Sequence, residues 1–134
     1  MTTSVLNLID GQWVGEPETE RRNPARPDQI VSISPRSSEA SVDDALVAAQ
    51  QAQPAWAALP PPARGAVLLD AADLLRSRQP EVARDLVLEE GKTLTEAMGE
   101  VRRAIDVLRY FGSQAGRWAE MFCQVRSRAP PRCR

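Results

Sequence analysis

The stretch LEEGKTLTEAMGEVRRAIDVLRYFG, from Leu88 to Gly112, has the strongest helix pattern in this chain. Thr93 and Glu96 have the T-x-x-E spacing of a capping box, which favours a helix start at this point. Apolar residues then recur every three or four positions, so that they share one face of a helix of about seven turns ending near residue 119. This helix is expected to be the longest element of the fold.

Three shorter helices are predicted ahead of it, so that helices occupy about residues 41–119. The first is expected to begin at a Ser41 cap and to stop at Pro54, because proline disrupts a helix interior. Trp56 and Leu59 are expected to pack this helix against the next one. The second helix follows a run of three prolines and the third opens at a single proline, which suits a first helical turn. The third helix is expected to end at Gly91, because glycine can adopt the left-handed conformation.

The pattern over about residues 5–35 is typical of β-structure. Asp10 and Gly11 predict a tight type I′ turn between two short strands, because both residues tolerate positive φ angles. A further strand is predicted for residues 30–34, where alternating apolar and polar side chains favour one buried face. The expected fold is therefore of the α/β class, with strands first and four amphipathic helices afterwards.

The composition excludes several classes of protein. No histidine occurs among the 134 residues, which rules out a histidine-based triad or a histidine-ligated zinc site. The net charge of −1 gives no basis for binding nucleic acid or an anionic membrane, and no segment is apolar for long enough to cross a bilayer. The first residues lack the basic and apolar regions of a secretory signal, so a cytoplasmic location is predicted.

The last segment, residues 121–134, differs from the rest in charge. It contains four arginines, no acidic residue and both cysteines, Cys123 and Cys133. Each cysteine is expected to be a free thiol, because no histidine is present to activate it as a nucleophile. Nucleic-acid binding by the arginines is an alternative function for this segment, but no aromatic residues alternate with them for stacking on bases. The four are Arg126, Arg128, Arg132 and Arg134.

Four segments, taken in order, resemble the opening part of aldehyde dehydrogenases. They are NLIDGQWV at Asn7–Val14, NPARPD at Asn23–Asp28, the alanine-rich stretch Ala48–Leu75, and the Leu88–Gly112 stretch. The resemblance is greatest to bacterial semialdehyde dehydrogenases. It implies that this chain holds only the opening part of the family's α/β fold, with residues 1–120 as the N-terminal segment of the cofactor-binding domain.

The resemblance also implies a chemistry. Family members oxidise an aldehyde by attack of a cysteine thiolate, transfer hydride to NAD or NADP, and hydrolyse the thioester with water that a glutamate activates. They also homo-oligomerise. Their catalytic cysteine and glutamate and their dinucleotide-binding residues correspond to positions beyond 134, so no catalytic, cofactor-binding or metal-binding residue is assigned. We expect the chain alone to be inactive and to bind neither NAD nor NADP. An aldehyde substrate is expected to bind only to full-length relatives.

Arg102 and Arg103 are the candidates for substrate contact. In family members the matching part of the long helix borders the substrate tunnel, where a guanidinium could form a bidentate pair with the distal carboxylate of a semialdehyde acid. The other interpretation is a solvated helix face with Arg103 near Glu100. Glu89 and Glu90 raise a similar question for a cation, but no metal site is predicted from them.

The resemblance ends after Ala119, and residues 121–134 are expected to form a disordered or non-family tail. A shifted reading frame is one explanation. Met-Phe-Cys requires the codons ATG-TTY-TGY, and these encode Val-Leu when read from the third base, as the family pattern needs.

A second hypothesis for the function follows from the missing active site. The chain would then be a non-catalytic helical interaction module that associates with a full-length homologue.

Overall fold

The computed structural model describes the backbone of residues 3–127 and the side chains of residues 3–115 and Arg117. Five strands come first and four helices follow within this part of the chain, which confirms the predicted order. The strands are β1 (Thr3–Ser4), β2 (Asn7–Ile9), β3 (Gln12–Val14), β4 (Pro17–Asn23) and β5 (Arg26–Pro35). The helices are α1 (Glu39–Ala58), α2 (Pro61–Ser77), α3 (Gln79–Glu90) and α4 (Leu94–Ser127).

The predicted hairpin is present between β2 and β3. Asp10 and Gly11 have φ angles of 48° and 73°, and two consecutive positive values are what a type I′ turn requires. The strands pair in antiparallel register with Leu8 opposite Trp13. Local turn chemistry therefore determined this element, as the sequence indicated.

The remaining strands form a separate sheet in the order β1-β5-β4, in which β1 is parallel and β4 antiparallel to β5. Strand β4 was not predicted, because its sequence PETERRN lacks apolar alternation and its side chains are exposed up to Asn23. Charged side chains suit an edge strand, since they discourage further pairing. Pairing with β4 also makes β5 longer than the predicted strand at residues 30–34.

The predicted start and end of α1 were wrong. Its N-cap is Ser38, whose side chain accepts a hydrogen bond from the Ser41 backbone N–H at 3.2 Å. The helix continues through Pro54 to Ala58, because one lost hydrogen bond is tolerated among flanking alanines and glutamines of high helix propensity. The proline run beginning at Pro60 follows its C-terminal end.

The expected packing of the α1 C-terminal end was also wrong. Trp56 and Leu59 remain 44% and 42% exposed, and no residue of α1 is buried. The helix contacts strand β2 of the hairpin, but it contributes nothing to the buried core. The amphipathic pattern therefore predicted the helix correctly but not the exposure of its side chains.

The core lies between α2, α3 and α4. Its buried apolar residues are Ala72, Ala83, Ala97, Val101 and Ile105. Partly buried leucines, valines and a methionine from the same helices pack around them. Most of these side chains are small, so the core depends on close helix approach and not on large buried groups.

Two glycines allow α2 and α4 to approach each other. A Cβ atom on Gly65 would lie 2.5 Å from the backbone oxygen of Gly112 and 2.6 Å from the Cβ of Ala115. A Cβ on Gly112 would lie 2.9 Å from the side chain of Leu69. Neither position has room for a side chain, because real Cβ atoms essentially never approach so closely.

The start of α4 has the predicted capping box. The Thr93 backbone N–H and hydroxyl donate to Glu96 Oε2 at 3.1 and 2.8 Å, and the Glu96 N–H donates back to the Thr93 hydroxyl at 3.3 Å. These bonds hold the pKa of Glu96 below its ordinary value. Gly91, with φ of 70°, ends α3 as predicted.

Helix α4 extends to Ser127, beyond the predicted end near residue 119. The sequence after Ala119 contains good helix formers and no proline before Pro130, which favours continuation. No helix within residues 3–127 is long and apolar enough to span a membrane. The side chain of Cys123 and all of residues 128–134, including Cys133, lie outside the described part, as do the four tail arginine side chains.

Candidate functional site

Arg102 and Arg103 are both exposed on α4, but they lie on different faces. Arg102 is two turns before Arg109, whose guanidinium forms an ion pair with Asp73 of α2. Residues seven apart share a helix face, so Arg102 lies on the flank beside α2. Arg109 therefore forms its ion pair with a residue of a neighbouring helix.

Arg103 lies on the outer face of α4. It is one turn before Val107 and two turns before Tyr110, which are 40% and 59% exposed. The Tyr110 ring meets the Phe111 ring edge-on, with centroids 5.2 Å apart, and Phe111 is 58% exposed. Arg103 thus shares the outer face of α4 with exposed apolar and aromatic residues.

Glu100 contacts Lys92 and not Arg103. The Lys92 Nζ atom lies 2.6 Å from carboxylate oxygens of both Glu100 and Glu90, and these contacts raise the pKa of Lys92, Glu100 contributing most. Sequence reasoning missed Lys92, because the turn at Gly91 determines which carboxylates it reaches. Arg103 is exposed, as the alternative of a solvated helix face expected, but it forms no ion pair with Glu100 among the described residues.

Glu89 connects the end of α3 to the sheet. Its carboxylate accepts a hydrogen bond from the Ser32 hydroxyl at 2.9 Å and lies 3.4 Å from Arg21 Nε. Glu90 contacts Lys92, so both carboxylates considered for a cation already have partners. No group of three or more histidine, cysteine, aspartate or glutamate residues suited to a metal ion occurs among the described residues.

The described residues do not fit a dinucleotide. Such a site uses a glycine-rich turn that leads from a parallel strand into a helix, where backbone N–H groups bind the pyrophosphate. The parallel pair described here, β1 with β5, is connected through other strands. The connection from β5 to α1 contains only Arg36, Ser37 and Ser38, without glycine.

The sequence pattern of the aldehyde dehydrogenase family matches residues 13–130. The chain belongs to the aldehyde dehydrogenase family. The match extends past residue 120, and the predicted boundary between a family segment and a non-family tail at that point stays a prediction. The family assignment agrees with the fold, in which strands precede four helices.

Two relatives show how much of an aldehyde dehydrogenase is present. The α-ketoglutarate semialdehyde dehydrogenase of Haloferax volcanii is 42% identical over 119 residues, covering 86% of this chain and 24% of the relative. The α-ketoglutaric semialdehyde dehydrogenase of Bacillus subtilis is 37% identical, with 84% and 24% covered. The chain therefore spans about a quarter of the length of these curated relatives.

A solved structure confirms the fold of that quarter. The 1-pyrroline-5-carboxylate dehydrogenase from Thermus, determined with bound NAD, superimposes with a TM-score of 0.80 and 34% sequence identity. The alignment covers 84% of this chain and 22% of the Thermus chain. Relatives of this aldehyde dehydrogenase segment thus include an enzyme that binds NAD.

Proposed function

We propose that the chain provides the opening part of an NAD(P)-dependent aldehyde dehydrogenase and has no turnover by itself. The observation that carries this proposal is the coverage: most of this chain matches the Haloferax enzyme, but only 24% of that enzyme is matched. The described residues form five strands and four helices, and no glycine-rich turn leads from a parallel strand into a helix among them. The role of the chain would be to complete the fold that holds the catalytic cysteine and the cofactor. The cytoplasmic location stays a prediction, and NAD and NADP stay open as alternatives for the cofactor.

We also propose a semialdehyde acid as the substrate class of the complete enzyme. The names of the Haloferax and Bacillus relatives support it, since both act on a semialdehyde that carries a carboxylate. Of the two candidate arginines, the structure favours Arg103, which lies on the same face as Val107 and Tyr110. Arg102 lies on the flank beside α2, where Arg109 already pairs with Asp73.

The proposed role is tested by complementation. The purified chain, mixed with NAD or NADP and an aldehyde, is expected to produce no reduced nicotinamide. The same chain is then coexpressed with the part of the Haloferax enzyme that follows the matched quarter, and activity is expected in the copurified pair. The Haloferax remainder expressed alone is the control. Turnover by the isolated chain would overturn the proposal, as would a copurified pair that is folded but inactive.

The role of Arg103 is tested in a chimera in which this chain replaces the matched quarter of the Haloferax enzyme. Arg103→Ala is expected to raise KM for the semialdehyde acid at least about tenfold, because a charge-assisted hydrogen bond is lost. The KM for a neutral aldehyde of similar length should stay unchanged. Arg102→Ala is the matched control and should affect neither substrate. Equal effects of Arg103→Ala on both aldehydes would contradict the assignment.

A second candidate function is favoured by the absence of buried residues on α1. The chain would then be a non-catalytic interaction module that binds a full-length homologue through exposed helix faces. Stoichiometric capture of the intact Haloferax enzyme by the tagged chain would support this function. Failure of capture, together with successful complementation by the Haloferax remainder, would leave the first proposal as the only one.

A further inference from the structure

Asp10 and Gly11 form the turn of the β2–β3 hairpin, and both are exposed. No other Asp-Gly pair and no Asn-Gly pair occurs in the sequence. A Cβ atom added to Gly11 would meet nothing within 4 Å. Among the described residues, neither the Asp10 carboxylate nor the Gly11 N–H has a hydrogen-bond or ion-pair partner. The carboxyl group of Asp10 and the amide nitrogen that follows it are therefore both accessible.

The other aspartates have different surroundings. Asp28 lies in β5, and the side chain of Gln29 hinders access to the amide nitrogen that follows it. The remaining aspartates lie inside helices, where the N–H of the next residue bonds to a carbonyl of the preceding turn. They are Asp43, Asp44, Asp70, Asp73, Asp85 and Asp106. Asp10 thus differs from all of them in having an exposed glycine amide beside it.

We propose that Asp10 is a site of spontaneous isomerisation to isoaspartate. The Gly11 nitrogen attacks Cγ of the protonated Asp10 carboxyl group, and a new N–Cγ bond forms while the carboxyl hydroxyl and the amide proton leave as water. Water then opens the succinimide ring. Addition at Cγ breaks the new bond and restores aspartate, whereas addition at the main-chain carbonyl breaks the original peptide bond and leaves isoaspartate. One water leaves and one returns, so no other reactant is needed.

The hairpin offers little resistance to this reaction. Asp10 must rotate out of its left-handed conformation, with φ of 48°, before the two groups can meet, so the turn has to open locally. Strands β2 and β3 have three residues each and pair only with one another. Their central pair, Leu8 and Trp13, is 58% and 66% exposed. A two-stranded hairpin with so little burial is marginally stable, and its local opening costs little free energy.

Isoaspartate changes the hairpin because it adds one methylene group to the backbone between Asp10 and Gly11. A two-residue type I′ turn fixes the strand register, so the added group would move Leu8 and Trp13 out of opposition. The turn also borders a cavity of about 340 Å³ whose other wall is α1, so the contact between hairpin and helix would change. The hairpin contributes no residue to the buried core, which should keep its stability. The modification lies outside the proposed dehydrogenase role.

Isomerisation is tested by ageing the full chain in warm neutral buffer. Isoaspartyl methyltransferase, which methylates isoaspartate and not L-aspartate, is then applied, and the labelled peptides are mapped by mass spectrometry. The label is expected on the peptide that contains Asp10, with Asp28 as the unlabelled control within the same chain. A synthetic peptide with the sequence of residues 6–14 gives the rate without the fold. The rate in the folded chain is expected within about tenfold of the peptide rate, because the hairpin opens easily.

Two variants test the chemistry. Asp10→Asn suits the same type I′ turn and forms the same succinimide with loss of ammonia, so it is expected to react faster and to show the mass change of deamidation. Asp10→Glu is the matched control, because it keeps the charge but would need a six-membered ring, and it should stay unlabelled. Reaction in the folded chain more than about tenfold slower than in the peptide would overturn the proposal, as would equal labelling of Asp28. Neither result would bear on the complementation experiment.

Discussion

Helices α1 and α2 are both rich in alanine, yet the fold uses them differently. Ala72 of α2 is completely buried against the neighbouring helices, whereas the alanines of α1 stay exposed or half-exposed. The difference lies in the partner: α2 crosses α4 where Gly65 and Gly112 remove the side chains between them. Alanine allows close helix packing, but only a facing surface of matching shape turns that tendency into a buried core.

The largest expected effect is the loss of a core side chain. Ile105→Ala should destabilise the chain by about 3 kcal/mol, because Ile105 is only 3% exposed and its removal leaves a cavity. Val47→Ala on α1 should change stability by less than about 0.5 kcal/mol, since Val47 is 51% exposed. Urea unfolding at one fixed protein concentration measures both. Similar losses of unfolding free energy would show that contacts within the chain stabilise α1 as much as α4.

The helix crossing is tested by glycine substitution. Gly65→Ala should destabilise by about 2 kcal/mol despite the better helix propensity of alanine, because its Cβ would overlap the α4 backbone. Gly99→Ala is the matched control, with nothing within 4 Å of the added Cβ. It should stabilise by about 0.5 to 1 kcal/mol. The same urea unfolding series measures both, and a stabilising Gly65→Ala would rule out the close approach.

The contact between sheet and helices should have a smaller effect. Ser32→Ala removes the hydroxyl that donates to Glu89 and should cost about 1.5 kcal/mol, because Ser32 is only 7% exposed. Arg21→Ala should cost less than about 0.5 kcal/mol, since the Arg21 side chain is 67% exposed. Thermal unfolding followed by circular dichroism compares the two. A larger loss for Arg21→Ala would mean that charge, and not the buried hydrogen bond, holds α3 to the sheet.

The smallest effect is expected at the cap of α4. Thr93→Ala should destabilise by about 1 kcal/mol at neutral pH, whereas Thr93→Ser should keep most of the stability. The pKa of Glu96 is lowered in the folded state by its bonds to Thr93, from an ordinary value of 4.5. Its contribution is therefore fully present above that value and is lost as the pH falls through the lower, folded-state pKa.

The difference in unfolding free energy between wild type and Thr93→Ala should accordingly shrink on acidification. Unfolding in urea at neutral and acidic pH measures it. A difference that is independent of pH would show that the hydroxyl alone, without the Glu96 carboxylate, forms the cap.

Elements that depend on near neighbours in the sequence were predicted. The Asp10-Gly11 turn, the Thr93 capping box and the Gly91 helix end each involve residues within a few positions of one another. The α1 start at Ser38 was missed because Ser41 offers the same cap chemistry three residues later. Substrate contact by Arg102 or Arg103 stays a prediction, and only the packing of α2 beside α4 made their different faces distinct.

The sequence by itself determined the local turns, the caps, the approximate positions of the helices and, through family resemblance, the aldehyde dehydrogenase assignment. Only the tertiary structure decided the edge strand β4, the Lys92 contacts with Glu90 and Glu100, and the bond from Ser32 to Glu89 across 57 positions. It also decided which alanine-rich helix is buried. The physical reason is that local hydrogen bonds are encoded by neighbouring residues, whereas burial depends on surfaces that meet only after the chain has folded.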